Sequence, residues 1–203
     1  PEGSSYEIAA SATEGSHYAL GSIRAAGIKE GDNVLVYGAT GAIGSAAVQI
    51  LKHYKARVTA VCNTKNVELI KSLGADEVID YQKEDFTITN QKFKFVLDAV
   101  GKISFGIAKP LMQKNACYIS TELGKNGQNV YLAIFSFSVK GKKVLFPIPK
   151  SSKKDIEFLK KLLTDGEFKP VYDRTFDLKN IQEAYQYVDT GMKTGNVIIR
   201  ITS

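Results

Sequence analysis

Cysteine is scarce: the 203 residues hold two, Cys62 and Cys117. Each lies in or beside an apolar run, so both read as small core residues, free thiols of a reducing compartment. Histidine is as scarce, with His17 and His53 far apart, and no CxxC, HExxH or Cys/His cluster occurs. That argues against a metal site. Long hydrophobic runs are missing as well. The longest, Tyr131–Val139, is broken by Ser136 and Ser138, far short of the roughly 20 residues a membrane-spanning helix needs. The first residues, Pro1-Glu2-Gly3-Ser4-Ser5, are polar and unlike a signal peptide. These absences lead us to expect a cytoplasmic protein with no membrane partner.

What is present is ordinary for a globular chain: 44% apolar and 24% charged residues. Lys and Arg number 27 against 21 Asp and Glu, a net charge of +6. The lysines are spread, with denser groups at Lys140–Lys143 and Lys150–Lys161. The second group alternates with Asp155, Glu157 and apolar residues, as on a solvated helix face. So modest a positive field suits an anionic small molecule and predicts no nucleic-acid partner.

From Asn33 onward, short apolar runs alternate with helical patterns. Strands are expected at Val34–Tyr37, Arg57–Val61, Glu77–Asp80, Phe93–Asp98 and Ala116–Ser120, with a sixth at Lys143–Pro147. Helices are expected at Ser16–Ala26, Ala42–Tyr54 and Lys65–Leu73, the last stopped by Gly74. Near-continuous apolar strands alternating with helices specify an α/β fold, a doubly wound parallel six-stranded sheet of the Rossmann type. Beyond Pro149 come a helix at Lys153–Leu163, an extended stretch at Pro170–Phe176, a helix at Leu178–Asp189 and a strand at Asn196–Ile201. These do not continue the alternation. Residues 21–149 therefore read as a dinucleotide-binding domain, and 1–20 with 150–203 as parts of a second lobe.

The first strand runs into Gly38-Ala39-Thr40-Gly41-Ala42-Ile43-Gly44 and then a helix. Glycines let the backbone turn tightly and approach a pyrophosphate, and the helix N-terminus presents free N–H groups to it. The strand–turn–helix context is what gives the spacing its meaning. The second strand leads into Cys62-Asn63-Thr64-Lys65-Asn66, with no carboxylate to bind a ribose 2′-hydroxyl. Hydroxyl, amide and ammonium donors suit a 2′-phosphate, so NADP is the expected cofactor, with Asn63, Thr64 and Lys65 near that phosphate.

Three stretches carry a resemblance. Gly31–Gly44 resembles the cofactor motif of the medium-chain dehydrogenases/reductases, Ser72–Tyr81 their next conserved block, and Leu97–Gly101 their fourth-strand block. The chain is most similar to the quinone-oxidoreductase-like branch, often labelled zinc-type alcohol dehydrogenase, through Gly195-Asn196-Val197-Ile198-Ile199. The resemblance implies hydride transfer between NADPH and a quinone, activated alkene, or carbonyl/alcohol substrate. By position, Gly41, Ala42 and Ile43 hold the pyrophosphate, and Tyr81 lies near the adenosine ribose phosphate. Ala99, Val100, Gly101, Ser120 and Thr121 line the path from adenosine to nicotinamide. No catalytic residue is assigned. Asn66 stands where relatives often carry a phosphate-binding lysine. Relatives begin with a GroES-like catalytic domain, most of which is not in this sequence, so these residues alone are expected to bind NADPH with little turnover. Zinc-using members carry a cysteine ligand upstream of the cofactor motif, and Ala9–Glu14 offers neither cysteine nor histidine, which implies zinc independence. The family also pairs an edge strand across a two-fold axis, implying a homodimer through Lys143–Pro147.

Two other readings compete. Short-chain dehydrogenases share the glycine pattern but need Tyr-x-x-x-Lys, and none of the ten tyrosines has lysine four residues on. A non-catalytic NADPH-sensing or scaffold module is the alternative function. Asp98, at a strand end, is expected to order its adjacent loop. His17 and Tyr18 are expected to pack near the cofactor cleft, and His53 to sit at a helix C-terminus.

Overall fold

The computed structural model describes residues 3–136, 141–148, 150 and 152–201. Lys140 and Pro149, which bounded the lysine group and the first lobe in the sequence, lie outside them. Six parallel strands form the main sheet: β1 (Asn33–Tyr37), β2 (Arg57–Cys62), β3 (Glu77–Asp80), β4 (Phe93–Asp98), β5 (Met112–Ser120) and β6 (Lys143–Leu145). Their order is β3-β2-β1-β4-β5-β6. The chain winds outward from β1 to β3, then crosses back to lay β4 against β1. That reversal opens a crevice at the C-terminal ends of β1 and β4, where ligands of such sheets bind.

Both faces of the sheet are covered, so the central strands are apolar on both. Val34 and Val36 point into one core with Ala46, Ile50 and Ile23, while Leu35 points into the other with Val96, Leu111 and Tyr118. Each fully buried aliphatic side chain contributes about 1.5–3 kcal/mol by leaving water. The first core is roofed by α2 (Glu14–Ala26) and α3 (Ala42–His53), after the short α1 (Tyr6–Ser11). On the sheet's other connections lie α4 (Val67–Ser72), α5 (Phe105–Ala108) and α6 (Gln128–Ser136). The remaining chain forms α7 (Lys153–Thr164), β7 (Tyr172–Asp177), α8 (Ile181–Asp189) and β8 (Asn196–Arg200), with β7 and β8 paired in parallel as a separate small sheet.

Several boundaries move from their expected places for local reasons. The division drawn between residues 20 and 21 falls inside α2, which is unbroken from Glu14 to Ala26. Its N-terminal end is pressed on α3: a Cβ on Gly15 would come within 2.6 Å of the Ala42 carbonyl. β5 starts at Met112 rather than Ala116, because Met112 pairs with Phe93 across a register shift, with Asn115 at φ +61° inside the irregularity. The helix expected at 65–73 splits into a 3-10 turn, Thr64–Asn66, followed by α4. α7 is held to the main body by Arg24 on Asp155, and the chain after it by His53 Nδ1, 2.5 Å from Glu167 Oε2. The buried Gln49 side chain donates to the Lys169 carbonyl at 3.1 Å and accepts its N–H at 2.8 Å.

Candidate dinucleotide-binding cleft

The three motif glycines do different work. Gly38 has φ +77°, and a Cβ there would lie 2.6 Å from the Val100 methyls. Gly44 sits where α3 touches the turn, and its Cβ would come within 2.2 Å of the Gly38 carbonyl oxygen. Packing alone demands both. Gly41 differs: it is extended at φ −72°, caps α3 without a side chain, and its Cβ would meet nothing closer than 3.7 Å. Nothing in the fold requires glycine there, and the open ground lies at the N-terminus of α3. The first-turn amides of Ala42, Ile43 and Gly44 have no carbonyl one turn back to bond, and α3 has no acidic residue in its first turn. The turn is thus an anion-accepting surface by geometry and by dipole.

A contact the sequence did not reveal closes one side of this turn. Gly195 N donates to the Thr40 carbonyl at 2.6 Å, and Gly41 bridges to Gly195. The approach to β8 therefore runs along the glycine turn. Burial lowers the pKa of Lys193 there, and its ammonium donates to the Gly195 carbonyl at 2.7 Å.

Asn63 and Lys65 follow the end of β2. Lys65 Nζ donates to the Met192 carbonyl at 3.4 Å. Thr64, on the same loop, already has a partner. Its hydroxyl donates to Asp80 Oδ2 at 2.6 Å, so its one hydrogen is not free for a phosphate. The acid that the end of β2 lacks in sequence arrives from β3. Thr64, then the Gln82 amide and Lys83, hold the Asp80 carboxyl below the usual range against the opposing effect of burial. Asn66, in the position of the family's lysine, is buried; its Nδ2 donates to Asn63 Oδ1 at 2.7 Å and its Oδ1 accepts from Thr194 Oγ1 at 3.2 Å. It ties the loop together. Tyr81 follows β3, half exposed, in a shallow cleft with Tyr37, Gln82 and Phe86.

The loop after β4 is shaped by Asp98, which is fully buried. Its Oδ1 accepts the amides of Val100 and Gly101 at 3.2 and 2.9 Å, and the Tyr118 hydroxyl lies 2.9 Å from its Oδ2. Burial pushes its pKa up, and those hydrogen bonds pull it partly back. Asp98 therefore orders the loop, as expected from its place at a strand end, and fixes Ala99, Val100 and Gly101 at the crevice. Ser120 is likewise fully buried, its Oγ accepting Asn129 Nδ2 at 3.0 Å and donating to the Glu122 carbonyl at 3.0 Å. Beside it, Thr121 Oγ1 and Asn129 Oδ1 are buried without a hydrogen-bond partner. Such atoms are costly unless something completes them.

The expected site residues thus stand on the C-terminal edges of five adjacent strands. Open ground at Gly41, free helix amides and two unpartnered oxygens past β5 fit a dinucleotide with a polar head at the far end. His17 does not join them: it lines an apolar groove with Ala12, Ile156 and Leu159 on the α7 side, its ring 6.1 Å from that of Tyr18. Burial pushes the Cys62 thiol to about 11 and the Cys117 thiol to about 12, so both stay protonated and unreactive. Among the described residues, no three His, Cys, Asp or Glu side chains stand together as a metal site, and no helix is long and apolar enough to cross a membrane.

Residues 73–199 match a family model described as zinc-binding dehydrogenase. The chain is 33% identical over 178 residues to the chloroplast envelope quinone oxidoreductase homolog of Arabidopsis thaliana, covering 82% of this chain and 52% of that protein. It is 33% identical over 181 residues to 2-methylene-furan-3-one reductase of Solanum lycopersicum, covering 86% and 42%. The chain spans about half the length of the curated relatives it matches. A solved quinone oxidoreductase from Coxiella burnetii superposes with a TM-score of 0.88 at 24% identity, over all of this chain and 63% of that one. The quinone oxidoreductase from Thermus thermophilus, solved also with NADPH, gives 0.78 at 22% identity, over 99% and 68%. These two structures share the fold.

Proposed function

This chain belongs to the zinc-binding dehydrogenase family, the medium-chain dehydrogenase/reductase group, and from that premise we propose that it is the NADP(H)-binding part of an oxidoreductase. The proposed reaction is hydride transfer between NADPH and a quinone, activated alkene, or carbonyl/alcohol. The observation that carries it is the glycine turn, with a middle glycine that packing does not demand standing over unbonded helix amides. Relatives named as quinone, furanone and alkenal/one reductases support the substrate class; one is named NADPH-dependent. When bound, the reduced nicotinamide supplies the hydride. This chain's residues bind and orient. Ala42, Ile43 and Gly44 offer amides to the pyrophosphate, Lys65 a charge to the 2′-phosphate, and Thr121 and Asn129 the polar atoms that a carboxamide can complete.

We further propose a zinc-independent enzyme, since Ala9–Glu14 offers neither cysteine nor histidine where zinc-using members carry a ligand. Its proposed compartment is the cytoplasm, a reducing one that suits two unpaired buried thiols; curated relatives are named chloroplastic and mitochondrial. We also propose a homodimer through β6. That strand ends the sheet; Val144 N–H donates to Ser136 Oγ at 3.0 Å and Ser136 Oγ donates to the Val144 carbonyl at 3.2 Å, so a second copy pairing there would displace Ser136. A monomeric mass in sedimentation at micromolar concentration would refute the dimer. The central test is a titration of NADPH and NADH followed by calorimetry or nicotinamide fluorescence. Saturable NADPH binding is expected; no binding of either nucleotide would sink the proposal.

A further inference from the structure

The preference for NADP rested on the lack of a carboxylate after β2, and the fold supplies one from the next strand. Parallel pairing sets Cys62 opposite Asp80, so the residues that follow β2 and β3 share one rim of the cleft. Asp80 is 7% exposed. It accepts the Thr64 hydroxyl at 2.6 Å and the Gln82 amide at 3.1 Å, with Lys83 Nζ 3.6 Å away. Thr64 N in turn donates to Gln82 Oε1 at 3.0 Å, so the two loops are braced against each other.

This brace has an electrostatic consequence. In the usual arrangement, an acid at the end of β2 accepts a hydrogen bond from the ribose 2′-hydroxyl and repels a 2′-phosphate. Here that position is Asn63 and Thr64, and the carboxylate stands one strand over, bonded to Thr64. A threonine has a single hydroxyl hydrogen, and Asp80 takes it. Thr64 therefore turns only lone pairs toward an incoming anion. The cations at hand, Lys65 and Lys83, are both exposed, so their attraction for phosphate is screened by solvent and salt. The carboxylate is tucked behind Thr64 and screened less.

We propose that Asp80 limits the discrimination between NADPH and NADH: its charge opposes the 2′-phosphate while its hydrogen bonds hold the two strand-end loops in place. It is a specificity-determining residue that acts through Thr64 and the local field. This inference rests on the proposed nucleotide site and deepens it.

The test uses the 203-residue chain and two probes, adenosine 2′,5′-bisphosphate and AMP, whose affinity ratio isolates the 2′-phosphate. Calorimetry compares wild type with Asp80→Asn, which removes the charge and can keep the brace with its Oδ1 accepting the Gln82 amide and its Nδ2 donating to Thr64 Oγ1. Asp80→Ala removes both. The Asn variant is expected to bind the bisphosphate about tenfold more tightly, with AMP unchanged, and the gain is expected to shrink at 1 M salt, where charges are screened within about 3 Å. The Ala variant is expected to weaken AMP as the loops loosen, yet to keep the raised ratio. An unchanged or lower ratio in Asp80→Asn, with wild type binding both probes, overturns the role of Asp80 and leaves the nucleotide site standing. Equal weakening of both probes in Asp80→Asn makes Asp80 a brace only, and overturns it too. Failure of wild type to bind either probe overturns the site itself, and Asp80's role with it.

Discussion

Replacing Gly41 and Gly44 by alanine, one at a time, separates what the glycine turn does for the fold from what it does for the ligand. At Gly44 the new methyl would stand 2.2 Å from the Gly38 carbonyl oxygen and 2.8 Å from Ala39 Cα, both backbone atoms that cannot swing aside. An ordinary contact needs about 1 Å more, so α3 has to lift off the turn. Overpacking of this kind costs about 1–3 kcal/mol. A cost near the middle of that range lowers Tm by about 4–8 °C in a chain of this size. At Gly41 the methyl meets nothing nearer than 3.7 Å, and φ −72°, ψ 174° is comfortable for alanine. Stability should stay within about 0.5 kcal/mol of wild type, or rise slightly through lost freedom in the unfolded chain. The same methyl would occupy the ground over the α3 amides. NADPH affinity should then fall at least about tenfold, roughly 1.4 kcal/mol. Thermal unfolding and NADPH fluorescence titration read the two effects separately. A Gly41→Ala chain that is stable and binds NADPH as well as wild type would refute the placement of the pyrophosphate over this turn.

Other predictions follow from single observations. Thr121→Val removes a buried hydroxyl that has no partner, so the nucleotide-free chain should gain up to about 1 kcal/mol in urea unfolding while NADPH binding weakens. Lys65→Ala should weaken NADPH by up to about fivefold, the worth of one exposed, screened ion pair, and leave NADH nearly unchanged; equal losses in calorimetry would remove Lys65 from the 2′-phosphate. Asp98 has a raised pKa because it is buried. Its contribution to stability is therefore fully present below the ordinary aspartate pKa and is lost as pH rises through the raised value. Relative to Asp98→Asn, wild type should lose stability across that window, and parallel unfolding curves for the two chains from acid to neutral pH would contradict this.

Strand positions were legible because each rests on a local apolar run: β1, β3 and β4 fall within a residue of where their sequence places them. Gly38 and Gly44 were legible as members of a spaced motif, though not the reason each is glycine, which depends on Val100 and on the turn's own carbonyl. α6 was not assigned as a helix, since an uncharged apolar stretch read from sequence fits either strand or helix. The helix bearing His17 presses on the α3 end of the glycine turn through Gly15 and Ala42, while His17 itself lines the groove toward α7.

The sequence by itself determined the sheet, the turn and the approximate line of the cleft, because those follow from side-chain sterics and periodicity within a few residues. Tertiary structure decided the electrostatics of that cleft. The contact between Thr64 and Asp80 exists only because β2 and β3 pair in one register, with Cys62 beside Asp80. Thr40 meets Gly195 only because β8 returns from far along the chain to the glycine turn. A charge or hydrogen bond acts through space and fades within about 10 Å, so its effect is set by which residues the fold brings close, and spacing along the chain does not record that.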